Sequence, residues 1–196
     1  VSDHPSEHIH KASGIMLEPL KKVPTDTVQV MKNLFTDPVA ARKIVDNIDK
    51  FQEKIWGIAR IARSSGIDAN VYRHLPEDVI YKWWDYNNRE LYIRQCNSVE
   101  FGAERMKSIR PLVNDIVKKA DEALSTGRYA ADLKFGHDYP LLSLASYLHL
   151  SGVGDVMSFD EIPTRWNDPM NIPLASNLQI IFYMSKKSQD ILVKFV

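Results

Sequence analysis

The chain has 196 residues, enough for one ordinary domain with its own core or for a large piece of a two-part enzyme. Hydrophobic residues make up 44% and charged residues 26%, the balance of a globular protein rather than a disordered or membrane one. Lys+Arg and Asp+Glu each number 25, and with no long basic run the charge offers nothing to a nucleic acid or an anionic membrane. A single cysteine, Cys96, excludes an internal disulfide and any multi-cysteine metal site.

No initiator Met, basic n-region or apolar h-region opens the chain, so no targeting segment is visible. Its last residues, Ile191 to Val196, read as an apolar strand. Termini are usually exposed and polar, so we expect a portion of a longer protein with material missing at both ends.

Residues 1–26 hold three histidines, three prolines and a Lys-Lys pair with no sustained period. Val28, Met31 and Phe35 predict a short helix from Thr27. Thr36-Asp37-Pro38 reads as a helix start, a capping residue followed by proline at the first helical position. Ile44, Ile48, Phe51, Ile55, Ile58 and Ala62 then recur at steps of four and three, an apolar stripe along one long helix that Ser64-Ser65-Gly66 ends. Leu75-Pro76-Glu77-Asp78 opens an aromatic-rich helix (Tyr81, Trp83, Trp84, Tyr86), with another over about Asn87 to Cys96. Residues 97–110 read as a loop or irregular helix. Pro111 restarts a helix with Val113, Val117, Ala120 and Leu124 on one face, closed by Ser125-Thr126-Gly127. Beyond it, Ala130 to Phe135 predicts a strand and Tyr139-Pro140 a helix burying Leu141, Leu144, Ala145 and Leu148. After a long Gly-, Pro-, Asp- and Asn-rich connection, Asn177 to Tyr183 and Asp190 to Val196 predict a hairpin turning at Lys186 to Gln189.

The chemistry concentrates at Gly136-His137-Asp138, where the predicted strand meets a helix. The carboxyl edge of a strand beside a helix N-terminus is a favoured ligand position in α/β sheets, and free N–H groups there favour an anion such as phosphate. The His137 imidazole has the chemistry to hydrogen-bond a phosphoryl oxygen, and the Asp138 carboxyl to protonate a departing alkoxide. On spacing alone the triplet reads equally as a strand-terminal histidine beside a turn-forming aspartate.

Phe135-Gly136-His137-Asp138 followed by Leu141-Leu142-Ser143-Leu144 resembles the second signature of the histidine acid phosphatase superfamily, above all the branch of the multiple inositol-polyphosphate phosphatases and phytase-like enzymes. Pro173-Leu174-Ala175-Ser176-Asn177-Leu178 with Ile180 to Tyr183 is similar to the family's downstream strand, and Asp190 to Phe195 to its hairpin partner. Leu34 to Pro38 and the helix after it look like the family's helical cap. The resemblance covers about residues 27–196, and residues 130–196 carry it specifically. It implies an α/β fold: a helical cap over residues 27–125, after a poorly defined segment 1–26, and over residues 126–196 the C-terminal part of a three-layer sheet domain of the phosphoglycerate-mutase type. It also implies hydrolysis of phosphomonoesters, plausibly phytate or other inositol phosphates, through a phosphohistidine, with no metal or organic cofactor. His137 would contact the phosphoryl group and Asp138 would be the proton donor to the leaving group. A periplasmic or secreted location is implied by resemblance only.

The family's nucleophile lies in an Arg-His-Gly-x-Arg-x-Pro motif on a strand upstream of the cap, and these 196 residues contain no such motif. The nearest run, Arg73-His74-Leu75-Pro76, lacks the glycine and the second arginine and lies in a helical region. The nucleophile is therefore expected before Val1, on another chain, or nowhere, and this chain alone is expected to be inactive. The expected partners are a small phosphate ester and the missing N-terminal portion, with no nucleic acid and no membrane. A rival expectation is a non-catalytic phosphate-binding or protein-interaction module; a third is an unrelated helical scaffold.

Among the remaining candidates, Arg105, Lys107 and Arg110 form a basic group in the loop-like stretch of the cap, set for a polyanionic substrate or as a solvated charged face. His4, His8 and His10 are read as a solvated segment rather than a zinc site. His149 is expected to pack or face solvent, Trp83 and Trp84 to lie in the core, and Cys96 to be an inert, partly buried thiol. Lys134 points either to solvent or to the site.

Overall fold

The computed structural model describes residues 6–67, 70–128, 131–185, 187 and 190–196. These are mostly helical, with one small two-stranded antiparallel sheet. The chain forms two compact units, Ala12–Glu90, and Leu91–Val196 together with Val1–Lys11.

Helix α1 (Glu7–Lys21) occupies the stretch without a visible period. It buries Ile9, Ser13 and Leu17, spaced by four, and the polar Ser13 in the middle breaks the apolar signal. In α2 (Thr27–Leu34) the Asp26 carboxylate accepts from the Gln29 N–H at 2.9 Å, an N-cap satisfying one of the helix's orphan donors. Val30 and Met31 are buried there, whereas Val28, expected inside, is exposed.

Helix α3 (Pro38–Ile44) begins where Asp37-Pro38 predicts, Asp37 Oδ1 accepting from the Val39 and Ala40 N–H groups. The single long helix expected to follow is divided. Asn47 Oδ1 accepts from the Lys50 N–H at 2.9 Å and starts α4 (Ile48–Ala62) afresh. The buried face of α4 is Gln52, Trp56, Ala59 and Ala62, one residue round from the isoleucine stripe, and Ile44 is 81% exposed. Trp56 has more apolar surface to remove from water than any of those isoleucines. Thr25 donates its hydroxyl to the buried Gln52 side-chain oxygen at 3.0 Å, while the Gln52 side-chain nitrogen is buried without a hydrogen-bond partner.

Beyond a short 3₁₀ turn (Val71–His74), α5 (Glu77–Gln95) is one continuous helix where two were expected. Its Lys82 is buried with the ammonium 2.8 Å from the Asp49 carboxylate, a pairing that burial of a charge requires. Trp83 is in the core.

Helix α6 (Gly102–Thr126) takes in residues 102–110 of the stretch read as a loop or irregular helix over 97–110. Pro111 does not start it but sits inside it, where it lacks the N–H that would bond to the Lys107 carbonyl and its ring crowds that carbonyl. Gly127, at φ 62°, closes the helix in the left-handed conformation that glycine adopts freely. Helix α7 (Asp138–Tyr147) packs against α6 and buries Leu142, Leu144 and Ala145, together with two serines, Ser143 and Ser146. Full burial of Leu142 alone contributes about 2 kcal/mol. The long connection holds two short helices, α8 (Ile162–Arg165) and α9 (Asp168–Asn171). Between them Trp166 meets the Tyr92 ring edge-on at 5.3 Å.

The hairpin forms as read. Strands β1 (Ile180–Met184) and β2 (Ile191–Phe195) pair antiparallel from Ile180 opposite Phe195 to Met184 opposite Ile191. The expected turn residues Lys186, Ser188 and Gln189 lie outside the described residues. The strand expected over residues 130–135 does not form among the described residues, and Phe135 is 93% exposed. A strand exists only where a ladder partner takes its N–H and C=O groups, and residues 131–135 have none. Helices α6 and α7 and the hairpin enclose an apolar groove of about 250 Å³ lined by Val113, Ala120, Leu144, Phe182 and Phe195 among others.

Candidate functional site

The chain reaches α7 through an exposed segment without regular secondary structure, residues 131–137, ending on His137 at the helix N-cap in extended conformation with φ −79° and ψ 167°. The extended backbone turns into the helix at Asp138, placing that acid in the first turn. The His137 side chain makes no capping bond to the helix, so its ring nitrogens are not spent there. The ring stacks with Tyr139 at 6.3 Å and 29°. His137 and Asp138 are both exposed, so an adjacent imidazole and carboxyl meet solvent at the anion-favouring end of a ten-residue helix. Together they offer a hydrogen bond to an anionic oxygen and a proton donor beside it.

Lys134 does not point at this pair. Its ammonium lies 2.5 Å from Asp115 on α6 and 3.1 Å from Asp132. Those two carboxylates hold Lys134 above its ordinary pKa, and the Lys134 hydrogen bond holds Asp115 below its own.

The three basic residues read as one group are divided. All lie on α6, but Arg105 is 1% exposed while Lys107 and Arg110 face solvent. At about 100° per residue, positions 105 and 107 project on opposite sides of a helix, which a loop reading conceals. The Arg105 Nε donates to Ser143 Oγ at 2.9 Å, and Ser143 Oγ donates to the Gln95 carbonyl at 2.7 Å.

Close by, Ser146 Oγ donates to the Val153 carbonyl at 3.2 Å. Burial pushes the Cys96 thiol up to about 12, against the smaller opposing effects of a Ser146 hydrogen bond and the Arg105 charge. Cys96 is thus fully rather than partly buried. Ser143 was read only as part of the leucine-rich run and Ser146 not at all, although two hydroxyls three apart on the apolar side of a leucine-rich helix are a readable signal of inward hydrogen bonding.

His4 lies outside the described residues. His8 Nδ1 lies 2.9 Å from Glu104 Oε2, and the Ser6 hydroxyl donates to Glu104 Oε1; these bonds hold the Glu104 carboxyl below its ordinary pKa. Among the described residues no three His, Cys, Asp or Glu are grouped to hold a metal. His149 follows α7 in the left-handed region at φ 52° and is exposed. Arg73 and His74 lie in the 3₁₀ turn, Arg73 Nε 3.0 Å from His74 Nε2.

A scan against protein-family models finds none that matches this chain, and a search of curated proteins finds no match.

Proposed function

We propose that this chain is the cap and acid-bearing portion of a histidine acid phosphatase that hydrolyses phosphomonoesters, plausibly phytate or other inositol phosphates, at acidic to neutral pH. The observation that carries this reading is the exposed His137–Asp138 pair at the N-terminus of α7, its imidazole uncommitted to capping. The hairpin β1–β2, following the Ala175-Ser176-Asn177-Leu178 run, supports it further. In the complete protein the hairpin and residues 130–135 belong to a larger sheet, the middle of three layers. The missing partner strand then explains why residues 131–135 stand unpaired. The location is periplasmic or secreted.

The reaction has two steps. A nucleophilic histidine outside this chain attacks phosphorus, the P–O ester bond breaks, and Asp138 gives its proton to the departing alkoxide while His137 hydrogen-bonds a phosphoryl oxygen. Water then attacks the phosphohistidine, passes its proton to the Asp138 carboxylate, and the P–N bond breaks to release phosphate. Lys107 and Arg110, exposed on α6, are the cations proposed for further phosphates of a polyanionic substrate.

The absence of an Arg-His-Gly-x-Arg-x-Pro motif favours a second reading, a module that binds phosphate without turnover. Leaving-group dependence separates the two. In the full-length protein, Asp138→Asn slows phosphoenzyme formation from phytate by on the order of 10²–10⁴-fold, and from 2,4-dinitrophenyl phosphate, whose leaving group needs no proton, only severalfold. Equal rates for wild type and variant on phytate would overturn the assignment of Asp138. Binding of inorganic phosphate without hydrolysis would establish the second reading.

A further inference from the structure

We propose that Arg105 and Ser143 form a polar latch that fixes α7 along its axis and so holds His137 and Asp138 in place, making Arg105 a positioning residue rather than a substrate ligand. The inference rests on the phosphatase reading for its catalytic meaning, but the latch stands on its own geometry. Gln95 is the last residue of α5, so its carbonyl is among those a helix leaves without an internal partner. Ser143 Oγ donates to that carbonyl at 2.7 Å and accepts from Arg105 Nε at 2.9 Å. The chain of two bonds ties α6 through α7 to the end of α5.

All three groups are removed from water: Arg105 is 1% exposed, Ser143 0% and Gln95 3%. A guanidinium beside a helix C-terminus meets the negative end of its dipole, a placement that favours the cation. On either side of Ser143, α7 buries the apolar Leu142, Leu144 and Ala145. Such apolar surface drives burial without direction and allows sliding, whereas hydrogen bonds weaken steeply when stretched or bent. Ser143 lies five residues after Asp138, about 7.5 Å along the helix axis. A shift there moves the acid by the same amount, and displacement by about 1 Å is enough to cost on the order of a hundredfold in rate.

The test compares Ser143→Ala, Arg105→Lys and Arg105→Met in the full-length protein. Amide exchange is read over Leu142 to Ser146, and kcat and KM on phytate and on 2,4-dinitrophenyl phosphate. The expected result for Ser143→Ala is exchange roughly tenfold faster in α7. With it come a fall in phytate kcat of about tenfold, KM within about twofold, and near-normal rates on the activated ester. Arg105→Lys recovers part of what Arg105→Met loses. Should Arg105→Met fail to fold, Ser143→Ala still decides. Wild-type exchange in Ser143→Ala would overturn the latch; equal losses on both esters would overturn its positioning role. If Asp138→Asn itself leaves phytate hydrolysis unchanged, the phosphatase reading fails instead, and exchange alone judges the latch.

Discussion

Cys96 is surrounded by protein on every side, and desolvation holds its thiol protonated to about pH 12, against an ordinary value of 9.0. The folded state therefore keeps a proton that the unfolded chain gives up, and the resulting stability is present below pH 9 and lost as pH rises toward 12. Replacement by Ala removes that dependence, worth at most about 1.4 kcal/mol per pH unit, and paired melts at pH 8 and 10 measure it. The same burial predicts no alkylation by iodoacetamide at pH 8 until the protein unfolds. Glu104 has the opposite sign. Bonds from Ser6 and His8 depress its pKa, so its contribution is present above 4.5 and lost as pH falls through the depressed value. The gap in melting temperature between wild type and Glu104→Gln is thus expected to close below pH 4.5. Some residue-level facts were legible without a structure, the Asp37-Pro38 start and the Gly127 stop among them, because a cap or a left-handed turn is a local requirement. The inward course of Arg105 was not, since it depends on a hydroxyl 38 residues away.

Among the elements, local signals set the ends of α3 and α4, and tertiary packing chose their faces. The isoleucine stripe named a real helix but not its buried side, because Trp56 outweighs it and Gln52 found a partner in Thr25. Asn47, polar and unremarked in the sequence, divides two helices with one bond to the Lys50 N–H. Asn47→Ala is expected to cost about 1 kcal/mol by loss of this cap, readable as a shift in urea midpoint with an unchanged slope. Asn47→Asp, keeping an acceptor, is expected to cost much less. The hairpin was legible because two short, nearly continuous apolar runs flank a polar stretch, all within about 17 residues. The strand over residues 130–135 was misjudged because a strand is a relation between two segments, and sequence shows only one of them.

At the level of the whole molecule, the apolar hairpin leaves Leu192, Val193 and Phe195 exposed. An exposed apolar edge invites pairing with another strand, which agrees with the proposal that the hairpin belongs to a larger sheet. The pair His137–Asp138 stood out by its chemistry and by its place between an expected strand and a helix; the helix forms from Asp138, and the strand does not form among the described residues. The nucleophile was expected to lie outside these residues, and the two-step reaction makes that expectation measurable. The most direct measurement is to quench the full-length protein during turnover of phosphorus-labelled phytate and map the labelled peptide. The phosphatase proposal predicts an acid-labile phosphohistidine outside residues 1–196, formed quickly from an activated ester but far more slowly from phytate in Asp138→Asn. Absence of a phosphoenzyme during measurable turnover, or a label on His137, would contradict it.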